Sequence, residues 1–167
     1  VLNRSIMRDG KPYPPATLAE LQIVPEAPAA LAELKAAGFL LPVVTNQPDA
    51  ARGTQTTENI DAINARLAAL LPLDGIYACL HAQDGQCECR KPKPGLLLRA
   101  AQERNIALDR SFLIGDRWRD VDAGKNAGVR VAFIDYGYRE QRPHHSPDAT
   151  VRSLREAVDW ILNGDAL

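Results

Sequence analysis

Cys79, His81, Cys87 and Cys89 fall within one eleven-residue window, and the chain holds only three cysteines in all. An odd and small number of thiols cannot make a disulfide framework, so their clustering asks for another explanation. In extended backbone, residues at i and i+2 point to the same side, so Cys79-Leu80-His81 and Cys87-Glu88-Cys89 each present a two-toothed grip. Three thiolates and an imidazole make a closed tetrahedral zinc site, which leaves no coordination position open and therefore serves structure rather than catalysis. Such an ion can contribute about 10 kcal/mol to folding in apparent terms. The stretch between the pairs, HAQDGQ, is polar and builds no core of its own, which suits an excursion organised by a metal. The alternative is three unrelated reduced thiols.

Three further motifs carry polar groups of the right kind for phosphate and magnesium. Thr45-Asn46-Gln47 follows the apolar run LLPVV, where hydroxyl, amide and backbone N–H groups could meet a phosphate oxygen. Taken singly it reads equally as a turn or a helix cap. Asp116 follows FLIG, with Asp120 four residues on; oxygen ligands on a tight turn suit magnesium, though capping of a helix by aspartate is as natural a reading. Arg90-Lys91-Pro92 brings two cations to the start of a helical pattern, where they could neutralise phosphate or form a solvated surface pair. His144 and His145, adjacent in the Pro-containing segment RPHHSPD, read as surface residues.

The elements that must position these groups are legible from periodicity. Residues 28–38 (PAALAELKAAG) have helical spacing and close on Gly38, ahead of a buried strand over 39–45. A second helix is expected over 57–71, a short strand over 75–79, a third helix over 94–105, a strand over 112–115, a helix over 120–127 closed by Gly128, a strand over 129–136 and a closing amphipathic helix over 153–162. Residues 11–15 read as an ordered surface loop and Arg8, Asp9 and Gly10 as a turn. Strands alternating with helices predict an α/β fold with a Rossmann-like parallel sheet covered on both faces. In such sheets ligands bind beyond the carboxyl ends of the strands, the address shared by Thr45-Asn46-Gln47, Asp116 with Asp120, and Arg90-Lys91-Pro92. A chain of 167 residues, 46% of them hydrophobic, suits one domain over 1–167. A net charge of −1 with no basic block excludes a nucleic-acid backbone or a membrane surface as the natural partner. The absence of an 18-residue apolar run or a signal-like start leads us to expect a cytoplasmic monomer.

In their order along the chain, T-N, K-P and G-D-x-x-x-D are similar to three of the four motifs of the haloacid-dehalogenase (HAD) superfamily. The chain resembles its heptose-bisphosphate and histidinol-phosphate phosphatases through VLN, PYPP, ELKAAGF, VVTNQPDAARG, the Cys/His cluster, CRKPKPG and LIGDRWRDVDAG. The resemblance implies hydrolysis of a small phosphorylated metabolite, of the heptose 1,7-bisphosphate type, through an aspartyl-phosphate intermediate. Thr45 and Asn46 would bind the transferring phosphoryl group, Lys91 would balance its charge, and Asp116 would hold Mg²⁺ with Asp120 in support. Arg52, Arg90 and Arg117 would contact the rest of the substrate, and Cys79, His81, Cys87 and Cys89 would hold Zn²⁺. There is no room for a large cap domain between Asn46 and Lys91, so the 4–24 segment and the 79–91 zinc loop are expected to shape the pocket. The family's first motif, a strand ending in D-x-D-G with the nucleophile and the general acid, normally comes immediately before a sequence like Val1-Leu2-Asn3. The expectation is therefore a sheet lacking its first central strand and a chain with little turnover by itself. Histidinol phosphate is the rival substrate, and a non-catalytic zinc-stabilised phosphosugar-binding module is the rival function.

Overall fold

The computed structural model describes residues 1–82 and 86–163. Residues 83–85, at the centre of the expected metal-organised excursion, lie outside the described residues. The chain opens with a hairpin, β1 (Ile6–Arg8) and β2 (Lys11–Tyr13), paired antiparallel with Arg8 opposite Lys11. Asp9 and Gly10 join the strands at φ 51° and 74°, the left-handed pair that a two-residue hairpin turn requires. The turn at Arg8–Gly10 is as expected, but residues 11–13 form a strand where a loop was expected. Three residues interrupted by Pro12 carry no period that a sequence pattern could reveal.

The first helix, α1 (Ala27–Ala36), starts with Pro28 in its first turn, where a missing N–H costs nothing. It feeds β3 (Pro42–Asn46), which is followed by α2 (Thr57–Leu70), capped by the Thr56 hydroxyl accepting from Asn59 N at 3.2 Å. Next come β4 (Gly75–Cys79), α3 (Gly95–Arg104), β5 (Phe112–Gly115), α4 (Trp118–Ala127), β6 (Arg130–Ile134), β7 (Ala149–Val151) and α5 (Leu154–Leu162). Two boundaries moved for identifiable reasons. Helix α4 begins at Trp118, earlier than the expected 120, because the Asp120 carboxylate reaches back to the backbone N–H groups of Asp116 and Arg117. Helix α5 begins at Leu154 because Ser153 is its cap, accepting from Glu156 N at 3.1 Å. Strand β7, three residues long, had no signal in the sequence.

The strands form two parallel sheets that do not join. In one, β3 pairs with β4 from Pro42 opposite Gly75 to Asn46 opposite Cys79; in the other, the order is β5-β6-β7. Between β3 and β5 lies a cavity of about 830 Å³ whose walls include Leu31, Leu34, Val43, Leu113 and Ile114. The expected α/β fold class is thus present, with this cavity separating the two parallel sheets. Helices cover the sheets, α1 packing on α5 and α4 on β5 and β6. One core cluster joins the two halves, with Ala27, Leu31 and Leu34 of α1 meeting Ile63 and Leu67 of α2, Ile134 of β6, and Leu154 and Val158 of α5. Phe112 adds an edge-to-face contact to Phe39 at 6.0 Å and another to Trp160 at 5.7 Å. The halves are therefore held together around the cavity, while the facing edges of β3 and β5 make no ladder with each other.

Candidate active site and metal cluster

At the carboxyl end of the cavity the halves are bridged again, this time by charge. Lys91 Nζ lies 2.6 Å from Asp120 Oδ1 and donates to the Val44 carbonyl at 2.8 Å, so one ammonium links β3 to α4. Both side chains are nearly buried, at 12% and 8% exposure. Asp120 Oδ2 accepts from the backbone N–H groups of Asp116 at 3.2 Å and Arg117 at 3.0 Å. Burial pushes the Asp120 carboxyl up, but the Lys91 ammonium and the backbone donors outweigh it and hold the group below the usual carboxylate range. Gly115 makes this approach possible: a Cβ there would lie 2.2 Å from Asp120 Cβ. Asp120 is thus placed beside Asp116 as expected, with each of its oxygens already engaged by protein donors.

Asp116 stands at the tip of β5 with its Oδ2 3.5 Å from the backbone nitrogen of Val1. Thr45, at the tip of β3, receives a long contact from Gln47 Nε2 at 3.4 Å. Thr45, Lys91, Asp116 and Asp120 all line the one cavity, and so do Arg52, Arg90 and Arg117. Asn46 lines it too, but its amide is turned to Lys91: Oδ1 accepts Lys91 N and Nδ2 donates to Lys91 O, both at 3.1 Å.

The arginines differ in what holds them. Arg117 Nε donates to Glu140 Oε2 at 2.7 Å, and Glu140 Oε1 also accepts Trp118 N, so this guanidinium is fixed by a carboxylate and anchors the loop after β6. Arg90 donates to the His81 carbonyl at 3.3 Å, and Arg52 lies 3.4 Å from Asp49. Arg119, which the sequence analysis did not single out, also lines the cavity and stacks 4.6 Å over the Trp118 ring. Burial, and then the neighbouring Arg117 and Arg90 cations, lower its affinity for its proton. A second arginine two residues after Arg117 looks in sequence like an ordinary exposed helix position.

The cysteine cluster assembles at the end of β4. Cys79 Sγ lies 3.7 Å from Cys87 Sγ and 3.5 Å from His81 Nδ1, which is 3.2 Å from Cys89 Sγ, and all four ligand atoms lie within 4.8 Å of one another. Tetrahedral bonds of about 2.3 Å to sulfur and 2.0 Å to nitrogen give edges of about 3.8 Å between sulfurs and about 3.5 Å between sulfur and nitrogen. The spacing fits a tetrahedral, thiophilic ion. Burial and the neighbouring Cys79 and Cys87 push the Cys89 thiol up to about 12, whereas for Cys87 the hydrogen bonds from Cys89, Arg90 N–H and Cys79 prevail over burial and lower it. Three crowded thiols cannot all ionise unaided, and a divalent cation among them removes that conflict.

His144 and His145 are exposed, as the sequence led us to expect, yet both are tied to α4. His144 Nδ1 is 2.7 Å from Asp122 Oδ2, its backbone N–H donates to Asp122 Oδ1 at 2.9 Å, and His145 N–H joins at 3.0 Å. Asp122, only 2% exposed, clamps this loop to α4. Buried aspartates that bind loop backbone have no local sequence signature, since both partners lie more than twenty residues apart.

Comparison with known proteins accords with this geometry. Residues 88–157 match the HAD-hydrolase-like family model. A D-glycero-beta-D-manno-heptose-1,7-bisphosphate 7-phosphatase of Helicobacter pylori strain J99 is 39% identical over 139 residues, covering 78% of this chain and 78% of that protein. The enzyme of the same name from Escherichia coli K12 is 36% identical over 146 residues, covering 80% and 72%. In three dimensions the chain is similar to the D,D-heptose 1,7-bisphosphate phosphatase of B. bronchiseptica, solved with magnesium and phosphate, at a TM-score of 0.74 and 26% identity over 89% of this chain and 88% of that one. With those shares of sequence and fold in common, the chain belongs to the HAD-like phosphatase family of which these heptose-bisphosphate phosphatases are members.

Proposed function

We propose that this protein hydrolyses a phosphate monoester of a small sugar phosphate of the heptose 1,7-bisphosphate type, through an aspartyl-phosphate intermediate. The observation that carries the reading is the convergence of Thr45, Lys91 and Asp116 at the carboxyl end of the cavity between β3 and β5. The nucleophile we assign to an aspartate upstream of Val1, on a strand seated in that cavity, with the general acid two residues after it. The Val1 nitrogen lies beside Asp116, so a D-x-D immediately ahead of it would enter at this cluster. A strand there would also pair the facing edges of β3 and β5.

In the first step the aspartate oxygen bonds to phosphorus while the bond from phosphorus to the sugar oxygen breaks, and that oxygen takes the proton of the second aspartate. Water, giving its proton back to that group, then attacks phosphorus and releases the first carboxylate. Thr45 Oγ1 donates to a phosphoryl oxygen, and the Lys91 ammonium balances the charge that develops, fixed in advance by Val44 and Asp120. Magnesium held by Asp116, with Asp120 in support, would neutralise the phosphoryl oxygens. Zinc we assign to Cys79, His81, Cys87 and Cys89, where it would hold the loop carrying Arg90 and Lys91. Arg52, Arg90, Arg117 and Arg119 line the side of the pocket suited to a second phosphate. Histidinol phosphate remains the rival substrate, and a non-catalytic phosphosugar-binding module the rival function.

The test is magnesium-dependent phosphate release from heptose 1,7-bisphosphate and from histidinol phosphate, measured for these 167 residues and for a version preceded by the next encoded residues. Release by the longer version alone is the expected result, and the preferred substrate names the branch. Zinc binding without turnover in either version would withdraw the catalytic assignment in favour of the binding module.

A further inference from the structure

We infer that Asn46 is a positioning residue for Lys91, acting on the anion site through that lysine rather than by ligating the phosphoryl group; the inference rests on the proposed role of Lys91. Its amide forms a reciprocal pair with the Lys91 main chain, Oδ1 accepting the N–H and Nδ2 donating to the carbonyl, each at 3.1 Å. This is the donor and acceptor pattern of one strand residue facing another, made here by a side chain. Two residues back on the same strand, the Val44 carbonyl accepts from Lys91 Nζ at 2.8 Å. At about 3.3 Å per residue these two points lie about 6.6 Å apart, a span that an extended lysine side chain covers. Strand β3 thus grips Lys91 at its main chain and at its ammonium, and Asp120 meets the ammonium from the other half of the molecule.

Asn46 is also well placed to hold its own position. Its backbone pairs opposite Cys79, and the next residue continues the ladder, Gln47 N donating to Cys79 O at 2.8 Å. The segment it grips begins two residues after Cys89 and is tied from α4 as well, Asn126 Nδ2 donating to Pro92 O at 3.0 Å. Asn46 therefore joins the two halves of the cysteine cluster to the lysine, its backbone fixed on the side of Cys79 and its amide on the side of Cys89. With the acceptor and one donor already committed, its remaining N–H is a lesser resource for phosphate than the lysine it holds.

A double-mutant cycle separates the two roles. Binding of inorganic phosphate in the presence of Mg²⁺ is measured by calorimetry for the parent chain, Asn46→Ala, Lys91→Met and the double variant, each with its zinc content checked. Asn46→Ala is expected to weaken phosphate about 10-fold in the parent and less than about 2-fold once Lys91 is gone, since a residue acting through another is strongly coupled to it. Equal losses in both backgrounds would show direct ligation and overturn the inference. Because Lys91→Met leaves Asp120 buried without its cation, a second measurement avoids that variant: the NMR signal of the Lys91 ammonium in ¹⁵N-lysine protein. It is expected to shift and broaden in Asn46→Ala, and in the isosteric Asn46→Asp, which keeps only the acceptor half of the pair. An unchanged signal would equally overturn the inference. Failure of the parent to bind phosphate would instead count against the proposed function, with the ammonium signal still deciding the role of Asn46.

Discussion

Replacing Asp120 by asparagine should show whether the charge at this position is built first into the fold. The carboxylate has three protein donors: Lys91 Nζ at 2.6 Å and the backbone N–H groups of Asp116 at 3.2 Å and Arg117 at 3.0 Å. A carboxamide has one oxygen. If it keeps the two backbone bonds, its NH₂ faces an ammonium, donor against donor; if it turns to Lys91, two backbone donors are left with an NH₂ group. In either orientation the nearly buried Lys91 charge loses its counter-ion, a change that costs about 3–5 kcal/mol when one partner of a buried pair is removed. For a chain of this size each kcal/mol moves the melting temperature by about 2–4 °C, so the expected fall is about 6–20 °C. Urea unfolding of Asp120→Asn at pH 7, without magnesium and at constant zinc, reads the effect through the fluorescence of Trp118 and Trp160. Asp116→Asn, which disturbs no backbone bond of this set, is the control and should change stability little. A loss under about 1 kcal/mol would refute the reasoning, because it would mean that the bridge between α4 and β3 holds nothing together and that Asp120 matters only toward a metal.

Gly115→Ala should act on the same bridge from behind, since its Cβ would meet Asp120 Cβ at 2.2 Å; overpacking of this kind costs about 1–3 kcal/mol or more, and thermal melting should show it together with weaker magnesium binding. Arg119→Gln should weaken a sugar bisphosphate by about 3- to 10-fold while leaving the matching monophosphate almost unchanged, the size expected of one charge-assisted contact, as measured by competition against inorganic phosphate. Acid should unfold the protein partly through Asp148. Burial raises its carboxyl, but Lys125 at 2.6 Å and the Val131 N–H prevail and lower it from 3.8. A depressed carboxyl contributes stability that is present above pH 3.8 and is lost as pH falls through the lower folded value, so Asp148→Asn should be destabilising at pH 6 and converge on the parent at the most acidic pH where both still fold.

The sequence by itself determined the alternation of helices and parallel strands, because helix stops such as Gly38 and Gly128 and short apolar runs such as FLIG are local signals of backbone preference and burial. It also determined that Cys79, His81, Cys87 and Cys89 come together, since two i, i+2 pairs constrain where four potential ligands can point. The motif residues could be placed at strand tips for the same reason: Thr45 and Asn46 are the last two residues of β3, and Asp116 directly follows β5. Tertiary structure alone decided how those residues are employed. That Asn46 grips Lys91, that Lys91 spans from Val44 to Asp120, that Glu140 holds Arg117, and that Asp122 secures His144 are all pairings across twenty or more residues, set by how the halves pack around the cavity. An aspartate at the fourth position of G-D-x-x-x-D is compatible in sequence with a cap, a metal ligand or an ion-pair partner. The approach of α4 to Gly115, and of the lysine to its carboxylate, turns it into the charge that closes one end of the cavity.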